Sequence, residues 1–76
     1  MKFYAGGHLT FYMPGRRHSL EIALPQPAPL REVLTQLGIP LPEVALTAVN
    51  GELVEAETVM VRDEDVVKVF SAVNGG

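Results

Sequence analysis

Apolar and polar positions alternate most cleanly from Ser19 to Leu24. Leu20, Ile22 and Leu24 share one face, and Ser19, Glu21 and Ala23 share the other. This period of two predicts a half-buried strand. Pro25, Pro27 and Pro29 end it, because proline has no N–H to give to a ladder. Pro29 also suits the first position of a helix. The period then changes to that of a helix. Leu30, Val33, Leu34 and Leu37 recur at i, i+3, i+4 and i+7, with Arg31, Glu32, Thr35 and Gln36 on the wet side. Gly38 stands where a left-handed C-terminal cap is needed, and Pro40 follows closely. A helix this short persists only when packed against the rest of the chain.

Either side of this core pattern the reading is strand-rich. Met1 to Ala5, with Phe3 and Tyr4, predicts a first strand, and Gly6-Gly7 breaks it. His8 to Met13 stays open: Thr10, Phe11 and Tyr12 favour a strand, whereas Leu9, Tyr12 and Met13 sit at helical spacing. Pro14-Gly15 is a turn in either case. The dense apolar run Val44 to Val49 predicts a central strand. Asn50-Gly51 is a type I′ hairpin signal, with Glu52 to Val54 returning. Val59 to Val61 is a short apolar segment, and Asp63-Glu64-Asp65 a charged turn. Val66 to Ser71 is the last strand, with Val67 and Val69 on one face and Val66, Lys68 and Phe70 on the other. One helix must then cover one face of one mixed sheet of four to five strands. The prediction is an α+β, β-grasp (ubiquitin-like) roll over residues 1–71, followed by a flexible C-terminal tail over 72–76.

The chain has 76 residues, which is one domain. At this length only about 60% of the unfolded surface is buried, which leaves little room for a deep pocket beside the core. There is no cysteine, hence no disulfide, thiolate nucleophile or cysteine-bound metal. Small secreted domains usually depend on such staples, so a reducing cytoplasm is the expected location. No apolar run reaches the roughly 18 residues of a membrane span, and no secretion signal is expected. Nine acids against six bases give a net charge of −3, which argues against a nucleic-acid partner. Arg16-Arg17-His18 is read as a solvated hairpin tip.

Conventional sites are missing from this reading. His8 and His18 lack the flanking ligands of a zinc site, so no metal is expected. The serines and threonines lack a base and orienting acid in motif context. Asp63, Glu64 and Asp65 do not have calcium-loop spacing. Gly6-Gly7 does not have the pattern of a phosphate loop. The tail, Ala72-Val73-Asn74-Gly75-Gly76, carries no charged side chain. At average glycine usage a terminal pair arises by chance in roughly 0.5% of chains. Glycine has no Cβ, so two of them make the thinnest strand of backbone and can thread a channel that a side chain would block. The expected working group is the α-carboxylate of Gly76, presented through Gly75 inside another protein. A carboxylate is a poor electrophile until activated. Adenylation by ATP supplies a leaving group, and a sulfur nucleophile can then form a thiocarboxylate.

The chain resembles the MoaD/ThiS family of sulfur carriers along essentially its whole length. The resemblance is carried by Leu20-Glu21-Ile22-Ala23-Leu24-Pro25, by Leu30-Arg31-Glu32-Val33-Leu34 ending near Gly38-Ile39-Pro40, and by Val49-Asn50-Gly51. It is strongest from Asp63 through Phe70 into Ala72-Val73-Asn74-Gly75-Gly76. Each motif is weak alone; their order and spacing are specific. The resemblance implies that Gly7 to Met13 is an irregular or short helical excursion. It also implies that an ATP-dependent adenylyltransferase of the ubiquitin-activating type adenylates Gly76 and that a sulfur donor protein converts it to a thiocarboxylate. On this resemblance the carrier is expected to bind no cofactor stably and not to be an enzyme itself. Phe70 matches an outward aromatic that packs on partners, and Ala72, Val73 and Asn74 fall on partner contacts. The ending looks more like the molybdopterin branch, in which the carrier is the small subunit of a synthase with a large catalytic partner. The alternatives are sulfur carriage for the thiazole of thiamin, a ubiquitin-like protein modifier, and a plain binding module. Glu64 departs from the glycine common between two acids in the family, and Asn74 from a small residue.

Overall fold

The structure, a computed structural model, describes residues 1–72. Val73, Asn74, Gly75 and Gly76 lie outside the described residues. Among the described residues the elements are β1 (Lys2–Gly6), β2 (Ser19–Glu21), β3 (Ala28–Pro29), α1 (Leu30–Leu37), β4 (Leu46–Val49), β5 (Glu52–Val54), β6 (Met60–Val61) and β7 (Val66–Phe70). Short 3₁₀ turns occupy Gly7–Tyr12, Pro14–Arg16 and Leu41–Glu43.

Five strands form one mixed sheet in the order β2-β1-β7-β4-β5, with β1 and β7 parallel and the other pairs antiparallel. Strands β3 and β6 make a separate two-stranded ladder. The helix buries Leu30, Val33 and Leu34 against the inner face of the sheet, where Phe3, Ala5, Val67 and Val69 point. Each of these larger side chains contributes about 1.5–3 kcal/mol relative to exposure. Leu9, Met13, Ile39 and Val61 close the core from the connections. This is the β-grasp arrangement, one helix on a mixed sheet.

The helix has the predicted bounds. Pro29 is its N-cap, one position before the expected one, with ψ 134°, and it is also a residue of β3. The first helical N–H, that of Leu30, is satisfied by the Val59 carbonyl at 3.0 Å. Gly38 takes the left-handed conformation at φ 81°, and the Ile39 N–H closes on the Leu34 carbonyl at 2.9 Å. The hairpin β4–β5 turns on Asn50 (φ 53°) and Gly51 (φ 84°), both positive as a type I′ turn requires.

Several expectations are corrected. The predicted strand Ser19 to Leu24 keeps its inward and outward alternation, but only Ser19–Glu21 is paired. The Ile22 N–H still reaches the Met1 carbonyl at 2.9 Å, and the Leu24 N–H then turns to the Asp63 carboxylate at 2.9 Å. The run Val44 to Val49 is strand only from Leu46. The Val44 N–H instead caps the Leu41–Glu43 turn at 3.0 Å. Ser71 lies beyond β7. His8 to Met13 resolves as the 3₁₀ excursion, with Leu9 and Met13 anchoring it in the core. Nothing in the local sequence announces the β3–β6 ladder, because it joins two-residue segments that are far apart in the chain.

Candidate functional site

The site starts where β7 ends. Its inward residues, Val67 and Val69, are fully buried, so the alternation turns Val66, Lys68 and Phe70 to the outer face. Strand register then lines up two rows across that face. Gly6, Phe70 and Leu46 form one row; Tyr4, Lys68, Ala48 and Leu53 form the next. Phe70 is 41% exposed, Leu46 53% and Leu53 70%. The Lys68 ammonium lies 5.6 Å from the centre of the Tyr4 ring, a cation–π distance. These residues make an apolar surface with one cation, immediately beside the last residues before the tail. An open groove of about 480 Å³ continues it around the sheet edge, from Leu46 and Leu53 to Leu41, Val44 and Ala56.

Ser71 and Ala72 follow β7. The Phe70 carbonyl accepts the Ala45 N–H at 2.8 Å. Ser71 is buried, and its Oγ accepts the His8 N–H at 2.8 Å. Ala72 is exposed. The remaining predicted residues, Val73, Asn74, Gly75 and Gly76, lie outside the described residues.

The family model that matches this chain is that of the ThiS family, over residues 12–76. The chain belongs to the ThiS family. Proteins of this family are small sulfur carriers that work with partner enzymes in sulfur transfer, and that is the general role of this chain. Among curated proteins, none matches the chain.

Elsewhere on the carrier, the other candidate residues are dispersed. His8 and His18 are exposed, and among the described residues no group of three or more His, Asp or Glu side chains is close enough to hold a metal. Arg16, Arg17 and His18 are all exposed at the tip between β1 and β2, with the Arg16 guanidinium 5.0 Å from the centre of the Phe11 ring. No helix of the described residues is long and apolar enough to cross a membrane. The acidic turn is tied inwards. Asp63 Oδ1 accepts the Leu24 N–H and lies 3.5 Å from the Met1 ammonium, and these contacts hold its carboxyl below the ordinary carboxylate range. Glu64 remains in solvent.

Sequence reasoning missed Leu46 and Leu53 on this outer face. For Leu46 the sequence carries no signal of this: it lies in a dense apolar run that reads as a central strand, and only the register with Phe70 shows that its face is open.

Proposed function

We propose that the α-carboxylate of Gly76 is the sulfur-carrying group and that molybdopterin, or its tungsten counterpart, is the acceptor. In the first step a carboxylate oxygen attacks the α-phosphorus of ATP and pyrophosphate leaves, giving an acyl adenylate. In the second, the terminal sulfur of a persulfide on a donor protein attacks the acyl carbon and AMP leaves, giving an acyl disulfide. A second thiol then attacks the donor-side sulfur, and cleavage of the S–S bond leaves the thiocarboxylate on Gly76 and a disulfide on the donor side. An adenylyltransferase of the ubiquitin-activating type supplies the ATP site, and the large subunit of a synthase supplies the catalytic residues for sulfur delivery. On this reading residues 1–71 are the docking body and residues 72–76 the reactive tail, and the protein works in the reducing cytoplasm.

The observation that carries the sulfur-carrier reading is a family match that runs to residue 76; the choice of molybdopterin rests on the ending from Phe70 to Gly76, which resembles that branch. The outer face supports it. Phe70, Leu46 and Leu53 are exposed apolar groups within the same two rows, close to the start of the tail. Such a patch favours a protein partner that covers it while Ala72, Val73 and Asn74 lead Gly75 and Gly76 into the partner's channel.

Intact-mass measurement of the chain from its native cells tests the carboxylate chemistry. A population with one oxygen replaced by sulfur supports it. Isopeptide conjugates through Gly76 would instead make the chain a protein modifier. Removal of the chain tests the acceptor: loss of molybdenum- or tungsten-enzyme activity supports the assignment, whereas a growth requirement for thiamin moves it to the thiazole.

A further inference from the structure

We infer that Gly6, Gly7 and Ser71 form a clasp that sets the direction in which the chain leaves the sheet, and that this clasp is a positioning device for the carboxylate chemistry. The inference rests on the proposed role of Gly76. Two consecutive glycines on β1 and its exit face two consecutive residues at the end of β7. Gly6 pairs with Phe70 in the parallel register, and a Cβ on Gly6 would stand 2.6 Å from Phe70 Cδ1 and 2.8 Å from Cε1. Gly7 has φ +64°, and a Cβ there would overlap Ser71 Oγ and lie 3.5 Å from the Ser71 backbone nitrogen. With both side chains absent, the Phe70 ring settles on the last residue of β1 and the Ser71 hydroxyl on Gly7 just after it. The next N–H, that of His8, donates to Ser71 Oγ at 2.8 Å across 63 residues of sequence.

Ser71 is therefore held by its side chain at the point where ladder pairing has ended. The consequence for chemistry is geometric. Gly76 is the fourth residue after Ala72, and four residues fully extended span at most about 14 Å. Ser71 and Ala72 fix where that reach begins, and a misplacement of about 1 Å at a reacting centre can cost about a hundredfold in rate. A preset exit also means that less freedom is lost when a partner threads the tail. Ser71 acts through the backbone that follows it; it is a positioning residue with no contact to the reacting atoms.

The test uses the full chain with Ser71→Ala, which removes the acceptor oxygen, and Ser71→Thr, which keeps it. The first readout needs no partner. In Ser71→Ala the His8 amide should exchange faster, and the residual dipolar coupling of the Ala72 N–H should change while those of Val66 to Val69 hold. An unchanged Ala72 coupling overturns the clasp. The second readout is steady-state adenylation by an enzyme of the ubiquitin-activating type that accepts the wild-type chain. Losing one hydrogen bond of about 1 kcal/mol should lower kcat/KM by about five- to tenfold, mostly through KM, with Ser71→Thr retaining most of the wild-type value. A lower melting temperature with unchanged KM in Ser71→Ala makes Ser71 merely structural and overturns the positioning role. If no such enzyme adenylates the wild-type chain, the Gly76 reading itself fails and the positioning role with it. Adenylation of the wild type and of Ser71→Ala with equal constants sinks the clasp alone.

Discussion

The side chain of Asn50 is bonded to the turn that feeds β7: its Nδ2 donates to Asp65 Oδ1 at 2.9 Å, and its Oδ1 accepts the Val66 N–H at 2.9 Å. Asn50 is also at φ 53°, a conformation that asparagine tolerates better than most residues. One residue thus serves the β4–β5 hairpin and locks it to the start of the strand that leads to the tail. Asn50→Gly should keep the turn and lose both side-chain bonds, at a cost of about 1–2 kcal/mol. Asn50→Ala should cost more, because it adds left-handed strain. Denaturant melts of the two variants check the order; equal stabilities would show that the backbone conformation contributes little.

Leu34 is fully buried on the helix face that meets the sheet. Leu34→Ala should destabilise the protein by about 2–5 kcal/mol through lost burial and the cavity left behind. In a chain of 76 residues that is a large share of the total stability. A near-zero shift in a urea melt would contradict the packing described above.

Asp63 predicts an acid limb in the stability profile. Its folded carboxyl titrates below the ordinary value of 3.8, first because of the Leu24 N–H and then because of the Met1 ammonium. A lowered folded value stabilises the protein above the unfolded value, and that contribution is lost as pH falls through the folded one. The stability gap between wild type and Asp63→Ala should hold from neutral pH to about 5 and narrow on acidification below about 4. Urea melts across that range measure it. A gap independent of pH would show that the carboxyl acts only as a neutral acceptor.

Gly76→Ala, or one residue added after Gly76, should abolish sulfur transfer and leave the melting temperature unchanged. The buried apolar residues of the described chain all lie at or before Val69, whereas the proposed chemistry is at the far end. Sulfur-transfer activity and thermal melts on one preparation separate the two effects.

Phe70→Ala should weaken binding to the adenylating partner by about tenfold or more, as loss of a central aromatic anchor does. Phe70 is 41% exposed, so the cost to the free protein should be smaller than that of Leu34→Ala. Titration calorimetry against the partner, with a thermal melt of the free variant, checks both halves.

The features legible in the sequence are those set by nearest neighbours along the chain. Leu30, Val33, Leu34 and Leu37 repeat at helical spacing and Gly38 follows, so the helix and its stop are readable. Asn50-Gly51 tolerates two positive φ angles, so the hairpin is readable. Val67 and Val69 alternate with Lys68 and Phe70, so the buried and open faces of β7 are readable. The glycine pair and its resemblance to sulfur carriers likewise need no coordinates. Tertiary structure alone decided which segments meet. The parallel register puts Gly6 against Phe70, the β3–β6 ladder joins Ala28 to Val61, and Ser71 reaches His8. A hydrogen bond or a close backbone approach between residues dozens of positions apart leaves no periodic trace, because it depends on the whole chain having folded before the partners come within reach.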